Sequence, residues 1–271
     1  MKLAYSVLLP DSKVNMFAYR GDLEEALKRI KDIGYDGVEL FACRPAELDI
    51  NNIEKLIETT GLEVCSIGTS PAGAEDKLVL MSRSSEVRSA AVARAKEIVD
   101  FAAIFGATVN IGKFRGNLPT DNRIEGWKWL KQSMTEICEY AAKKDVMITI
   151  EPQNRMNLNN LNTTQEALLW IENMNIGNLY IISDTFHMDA EEKSITASIL
   201  EAADYIKHIH IADSNRNIPG QGSIDFLEIA RVLKAIRYDG YLSLEIAQGS
   251  DGLAAAERSW KYLNNIYNEL V

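Results

Sequence analysis

Glu151, Asp184, His210 and Glu245 each end a short run rich in β-branched or aliphatic residues, and each can offer an oxygen or nitrogen to a divalent cation. The runs are Met147–Glu151, Leu179–Asp184, Ile206–His210 and Tyr241–Glu245, recurring about once per βα unit. One such end, taken alone, is as readily a polar group wetted by solvent or paired with a loop. Four ends on consecutive parallel strands would gather three carboxylates at one mouth, where their repulsion is costly unless a cation sits among them. Three carboxylates with one imidazole make a hard, oxygen-rich set that suits Mn²⁺, Co²⁺ or Mg²⁺ better than Zn²⁺. Four protein ligands leave about two positions of an octahedral ion free for the adjacent oxygens of a hydroxy ketone. Such a chelate acidifies the hydrogen beside the carbonyl.

The elements that must position these residues alternate along the whole chain. Earlier strand candidates are Leu3–Leu8, Gly37–Leu40, Glu63–Ile67 and Thr108–Ile111. Between the strands lie helical patterns with apolar residues three and four apart, as at Leu23, Ala26, Leu27, Ile30 and Ile33. Asp22 with Glu25, Thr163 with Glu166 and Asp225 with Glu228 have capping-box spacing, and Gly34 and Gly106 are placed to close helices. The segments Gly34–Glu39 and Arg237–Tyr241 are a faint echo of one helix-turn-strand unit. Eight strands and eight helices, with no Pro/Gly/Ser-rich linker, predict a single α/β domain over 1–271, a (βα)8 TIM barrel. An open doubly wound sheet would carry a glycine-rich phosphate turn after the first strand, and Leu8–Ser12 is not one.

Alternation along a barrel strand places Thr149 beneath Glu151, His208 beneath His210 and Ser243 beneath Glu245, where they are expected to orient the ligands. His210 is preferred over His208 as a ligand because it lies nearer the mouth, and His208 reads as a satisfied core group. His187 falls in the loop above Asp184 and is expected to bind a substrate oxygen. Lys113, Arg115, Arg155 and Arg216 follow strand ends at the same mouth and could balance an acidic substrate. Lys113 is expected to pair with one of the barrel's own acids, and Arg216 is the best placed to hold a substrate oxygen or carboxylate. Glu39 divides evenly between wall of the site and salt bridge.

The formal charge of −10 and the lack of a basic stripe with interleaved aromatics argue against nucleic acid as a partner. Cys43, Cys65 and Cys138 are odd in number and lack CxxC spacing, which suggests neither disulfides nor a cysteine metal site and fits a reducing cytoplasm. The apolar start Met1–Pro10 is too short for a signal peptide and lacks a cleavage site, and no run suits a membrane span.

At these residues the chain resembles the xylose isomerase-like sugar isomerase/epimerase superfamily, which includes the D-tagatose 3-epimerase family. The resemblance runs through Ile150–Arg155, Asp184–Met188, His210–Arg216 with Pro219–Gly222, and the strand ending in Glu245. Within it, Tyr19–Leu23, Ser66–Thr69 and Ile111–Gly116 are most similar to the 5-keto-L-gluconate epimerases. The resemblance implies that Glu151, Asp184, His210 and Glu245 bind one divalent cation, Mn²⁺ foremost. It implies further that Glu151 and Glu245 exchange the C3 proton of a ketose or keto sugar acid from opposite faces, with His187 and Arg216 on substrate oxygens. A homodimer or homotetramer is expected on the same basis. Family members commonly carry a glutamate where this chain has Asn157, six residues after Glu151, so the group contacting substrate there is an uncharged amide. Rival outcomes at the same site are aldose-ketose isomerisation and inosose-type dehydration, and a rival of another class is a silent sugar-binding barrel. A barrel endonuclease fits poorly, since this chain has only three histidines.

Overall fold

The computed structural model describes residues 1–269. Eight parallel strands close into a barrel in chain order, β8 returning to β1. They are β1 (Lys2–Leu8), β2 (Gly37–Phe41), β3 (Glu63–Gly68), β4 (Thr108–Ile111), β5 (Ile148–Ile150), β6 (Leu179–Asp184), β7 (Ile206–Ile211) and β8 (Tyr241–Leu244). The described residues form ten α-helices. The first five are α1 (Leu23–Ile33), α2 (Ile50–Thr60), α3 (Ser70–Glu75), α4 (Ser85–Phe105) and α5 (Arg123–Ala142). The others are α6 (Thr164–Met174), α7 (Thr185–Glu191), α8 (Ile195–Glu201), α9 (Phe226–Ala235) and α10 (Gly252–Glu269).

The expected barrel is present, with two helices more than the eight read from periodicity. Units three and six each hold an extra short helix, α3 and α7, of six and seven residues. Elements this short carry under two turns, too few for an apolar period to register. One consequence is a correction: His187 lies within α7 and not in a loop.

The caps follow the local chemistry. Side chains of Asp22, Thr163 and Asp225 accept the backbone N–H of Glu25, Glu166 and Glu228. Gly34 ends α1 at φ 114°, and Arg237, its counterpart in the late echo, also has a positive φ of 56°. The aliphatic side chains of Ile148, Ile150, Ile209, Ile211, Leu242 and Leu244 are buried in the main apolar core. Their polar alternates Thr149, His208 and Ser243 are buried as well. No helix among the described residues is long and apolar enough to cross a membrane.

Two register shifts matter to the site. Pairing steps by an extra residue between Val38 and Glu39 on β2, and between Ile181 and Ile182 on β6. The second places Asp184 opposite His210, whereas continuing the Ile181–Ile206 register would have set it opposite Ile209. Because side chains alternate faces along a strand, that one-residue step brings carboxylate and imidazole to the same side.

Candidate metal and active site

Asp184 ends β6 and faces His210 of β7 in register, while Glu151 and Glu245 directly follow β5 and β8. The backbone N–H groups of those two glutamates still donate to Ile111 O and Ile211 O, at 3.2 and 3.3 Å, so the ladder holds both. All four side chains are buried, and one ligand atom from each lies within 4.8 Å of the other three. His210 Nδ1 faces the acids: it is 3.1 Å from Glu151 Oε1, 3.4 Å from Glu245 Oε2 and 3.6 Å from Asp184 Oδ2.

Glu39 orients that ring. Its Oε2 lies 2.8 Å from His210 Nε2 and 3.2 Å from His208 Nε2, with the carboxylate fully buried. With Nε2–H donated to Glu39, Nδ1 is the atom left to meet a cation, the arrangement in which a carboxylate fixes the tautomer of a metal-binding histidine. The even choice over Glu39 thus resolves toward anchoring His210, and His208 is a buried group satisfied by the same carboxylate. Glu39→Gln is expected to weaken Mn²⁺ binding about 10- to 100-fold in titration calorimetry. An unchanged dissociation constant would detach Glu39 from the site.

Thr149 and Ser243 do not orient the glutamates above them. Thr149 Oγ1 donates to Val109 O at 3.4 Å, and Ser243 Oγ pairs with Ser6 Oγ at 3.2 Å, so both serve the barrel lining. Glu151 is held instead by Gln153 Nε2, which donates to its Oε2. Gly112 makes room for this pair, since a Cβ there would lie 2.5 Å from Glu151 Oε2 and 3.0 Å from Gln153 Nε2. The correction has a simple cause: groups in the loops above a strand end reach its last side chain, while groups one layer down point into the packed interior.

Arg216 reaches the cluster and is engaged by it. Nη1 donates to both oxygens of Asp184 at 2.6 and 2.8 Å, Nη2 donates to Glu245, and the guanidinium stacks 5.0 Å from the rings of Phe17 and Phe186. Its backbone sits at φ 62°, in a loop built on buried Asp213, which accepts the N–H of Ser214, Gly220 and Ile224. Burial alone would raise the carboxyls of Glu151 and Asp184; His210 beside the first and Arg216 beside the second hold both below the usual range. Burial opposes charge on His210 too, but Glu39, Asp184 and Glu151 raise its pKa well above the ordinary value. Those acids thus favour positive charge at Nδ1, and a divalent cation there would take the place of the proton. The donor set therefore fits such an ion.

His187 lines a cavity of about 320 Å³ together with Gln153, Asn157, Arg216 and Glu245, and Val14, Met16 and Phe17 add apolar wall to it. Its Nδ1 lies 3.0 Å from Asn154 Nδ2, and burial lowers its pKa, Asp184 and Glu151 opposing. With the amide donating to Nδ1, the neutral ring carries its proton on Nε2. Gln153 and Asn154 had one signal in the sequence, proximity to Glu151; Phe17 had none.

The remaining cations need correction. Arg155 is exposed and forks onto Glu191 at 2.7 and 3.1 Å, outside the cavity. Arg115 is fully buried and donates to Asn160 Oδ1 and to the carbonyls of Gly112, Glu151, Asn160 and Leu161, bracing the turn after β4 against the loop after β5. Lys113, expected to pair with a barrel acid, has no acid within salt-bridge distance among the described residues, but Glu151 attracts its charge and the side chain lies on the cavity wall. Arg115→Lys cannot satisfy that fork of acceptors and is expected to cost about 3 kcal/mol, a fall of roughly 5–10 °C in Tm by calorimetry. A variant as stable as the parent would refute the bracing role.

Known proteins resemble this chain over most of its length. The family described as xylose isomerase-like TIM barrel matches residues 27–266. The L-ribulose 3-epimerase of Mesorhizobium japonicum is 32% identical over 232 residues, 83% of this chain and 76% of that enzyme. The 3-dehydro-D-guloside 4-epimerase of Escherichia coli is 28% identical over 243 residues, 85% of this chain and 89% of that enzyme. A solved structure of an L-ribulose 3-epimerase superposes with a TM-score of 0.84 at 25% identity, over 99% of this chain and 95% of that one.

Proposed function

Because this chain belongs to the xylose isomerase-like TIM barrel family and is an enzyme of the epimerase type, we propose that it is a divalent-metal-dependent epimerase inverting C3 of a ketose or keto sugar acid. The observation that carries this reading is the meeting of Glu151 and Glu245, from β5 and β8, at one point with Asp184 and His210 Nδ1. Those four residues would hold the cation, and Mn²⁺ matches three carboxylates and an imidazole best. Bound there, a divalent cation polarises the ketone and acidifies the neighbouring hydrogen.

The chain's own groups do the rest. Glu151 and Glu245, ending strands three places apart in the barrel, remove a proton from one face of the substrate carbon and return one to the other. Arg216 holds Asp184 and Glu245 in place, and Gln153 holds Glu151. His187 donates from Nε2 to a substrate oxygen, and Asn157 offers both donor and acceptor at the wall. Val14, Met16 and Phe17 give the cavity an apolar wall that limits water at the reacting carbon.

The test is incubation of ketohexoses and keto sugar acids with Mn²⁺ in D₂O, followed by chelation and ¹H NMR. Deuterium at C3 of both epimers supports the proposal. Exchange at C4, as the Escherichia coli relative's name would suggest, an aldose product, or loss of water would each overturn it.

A further inference from the structure

Residues 14–18 cross the mouth between β1 and α1, and Phe17 is placed differently from its neighbours there. Ala18 clusters with Leu8 and Phe41 apart from the main core, and Val14 and Met16 pack against them. Phe17 is 42% exposed, and its ring lies 5.0 Å from the guanidinium of Arg216.

The ends of this segment are tied down and its middle is not. Glu75 accepts Ser12 Oγ at 2.6 Å and Lys13 N at 2.9 Å, while Tyr19 N donates to Ser6 O at 2.8 Å. Among the described residues Asn15, Met16, Phe17 and Ala18 make no hydrogen bond. Val14, Asn15 and Met16 line both the 320 Å³ cavity and an outer cleft of about 870 Å³, so space lies on either side of them. Side-chain contacts therefore hold the middle of the segment where it is.

The guanidinium of Arg216 has a matching need. Its Nη atoms bridge Asp184 and Glu245, but Nε is buried with no hydrogen-bond partner among the described residues. Two aromatic rings supply the remaining contact, Phe186 at 5.0 Å and Phe17 at the same distance. Phe186 is fixed on α7, where its N–H donates to Asp184 Oδ1 at 2.8 Å. Phe17 is the ring that the segment brings.

We propose that Phe17 is a positioning residue for the inversion: its ring sets the plane of the Arg216 guanidinium, and the guanidinium aims Glu245. This rests on the epimerase reading above and goes beyond the apolar wall given to Phe17 there. Glu151 is held by Gln153 instead, so Phe17 governs proton transfer on one face of the substrate carbon. A leucine at the same place keeps an apolar wall but has no π face to offer the cation.

The experiment starts from each C3 epimer in turn with the Mn²⁺-loaded enzyme in D₂O. It measures kcat, KM and the deuterium in recovered starting epimer per inversion. In Phe17→Leu kcat is expected to fall about 3- to 30-fold with KM held within about twofold, and Phe17→Tyr should recover most of the rate. The epimer whose hydrogen faces Glu151 should still lose its proton, but delivery from Glu245 is slowed. More of it then takes a deuteron back from Glu151 and is recovered labelled, whereas the other epimer shows no such rise. An unchanged kcat, a rise in KM alone, equal slowing in Phe17→Leu and Phe17→Tyr, or an equal rise in labelled return from both epimers would each overturn the positioning role while leaving epimerisation intact. Absence of C3 exchange in the parent with every ketose and keto sugar acid tried would instead remove the epimerase reading itself.

Discussion

Glu151→Gln and Glu245→Gln are each expected to slow inversion by about 10²- to 10⁴-fold at saturating Mn²⁺ while the barrel stays folded. Glutamine keeps the shape of the side chain and one carbonyl oxygen, but it cannot take up a proton at neutral pH. Each side chain is also a candidate ligand, so the metal affinity must be measured alongside the rate. A loss that disappears at high Mn²⁺ would mean a binding role alone. Circular dichroism and Tm report the fold, and deuterium incorporation at C3 reports the chemistry. Full turnover in either variant would take that glutamate out of the mechanism.

Chelation is expected to abolish turnover and to lower Tm, and Mn²⁺ to restore both. An ion at about 1,000 times its dissociation constant stabilises the native state by about 4 kcal/mol, or roughly 10 °C in a chain of this size. The gain should be large here because the apoprotein holds three buried carboxylates close together, offset by Arg216 and a charged His210. Asp184→Asn is the decisive control. It removes one ligand and weakens the Arg216 bridge, so the Mn²⁺-dependent rise in Tm should shrink toward zero. A full rise in that variant would place the ion elsewhere.

Much of this site was legible beforehand because its four central residues lie at or within one residue of the ends of regular strands. The alternation of apolar and polar residues in Ile148–Glu151 and Ile209–His210 is local chemistry, and it named the candidate ligands without tertiary information. The groups that orient those ligands were harder to see. Gln153, Asn154 and Gly112 act across loops, and Glu39 acts across the barrel, 171 positions from His210. Thr149 and Ser243 were assigned that work on parity alone, which predicts a face but not a partner. Arg115 and Arg155 were read from position at the mouth, yet a cation near a mouth turns toward whichever acceptors satisfy it first: carbonyls for one, Glu191 for the other.

The sequence by itself determined the barrel, its eight strands, the helix caps and the residue types able to bind a cation, because periodicity and capping depend on neighbours a few positions away. Only the tertiary structure decided which cations face the ligand cavity and how the ligands are aimed. The one-residue step between β6 and β7 shows why. Strand register is set by packing between units, and a single step turns a side chain from one face to the other. Asp184 meets His210 through that step, and Arg216, from the loop after β7, then bridges Asp184 and Glu245.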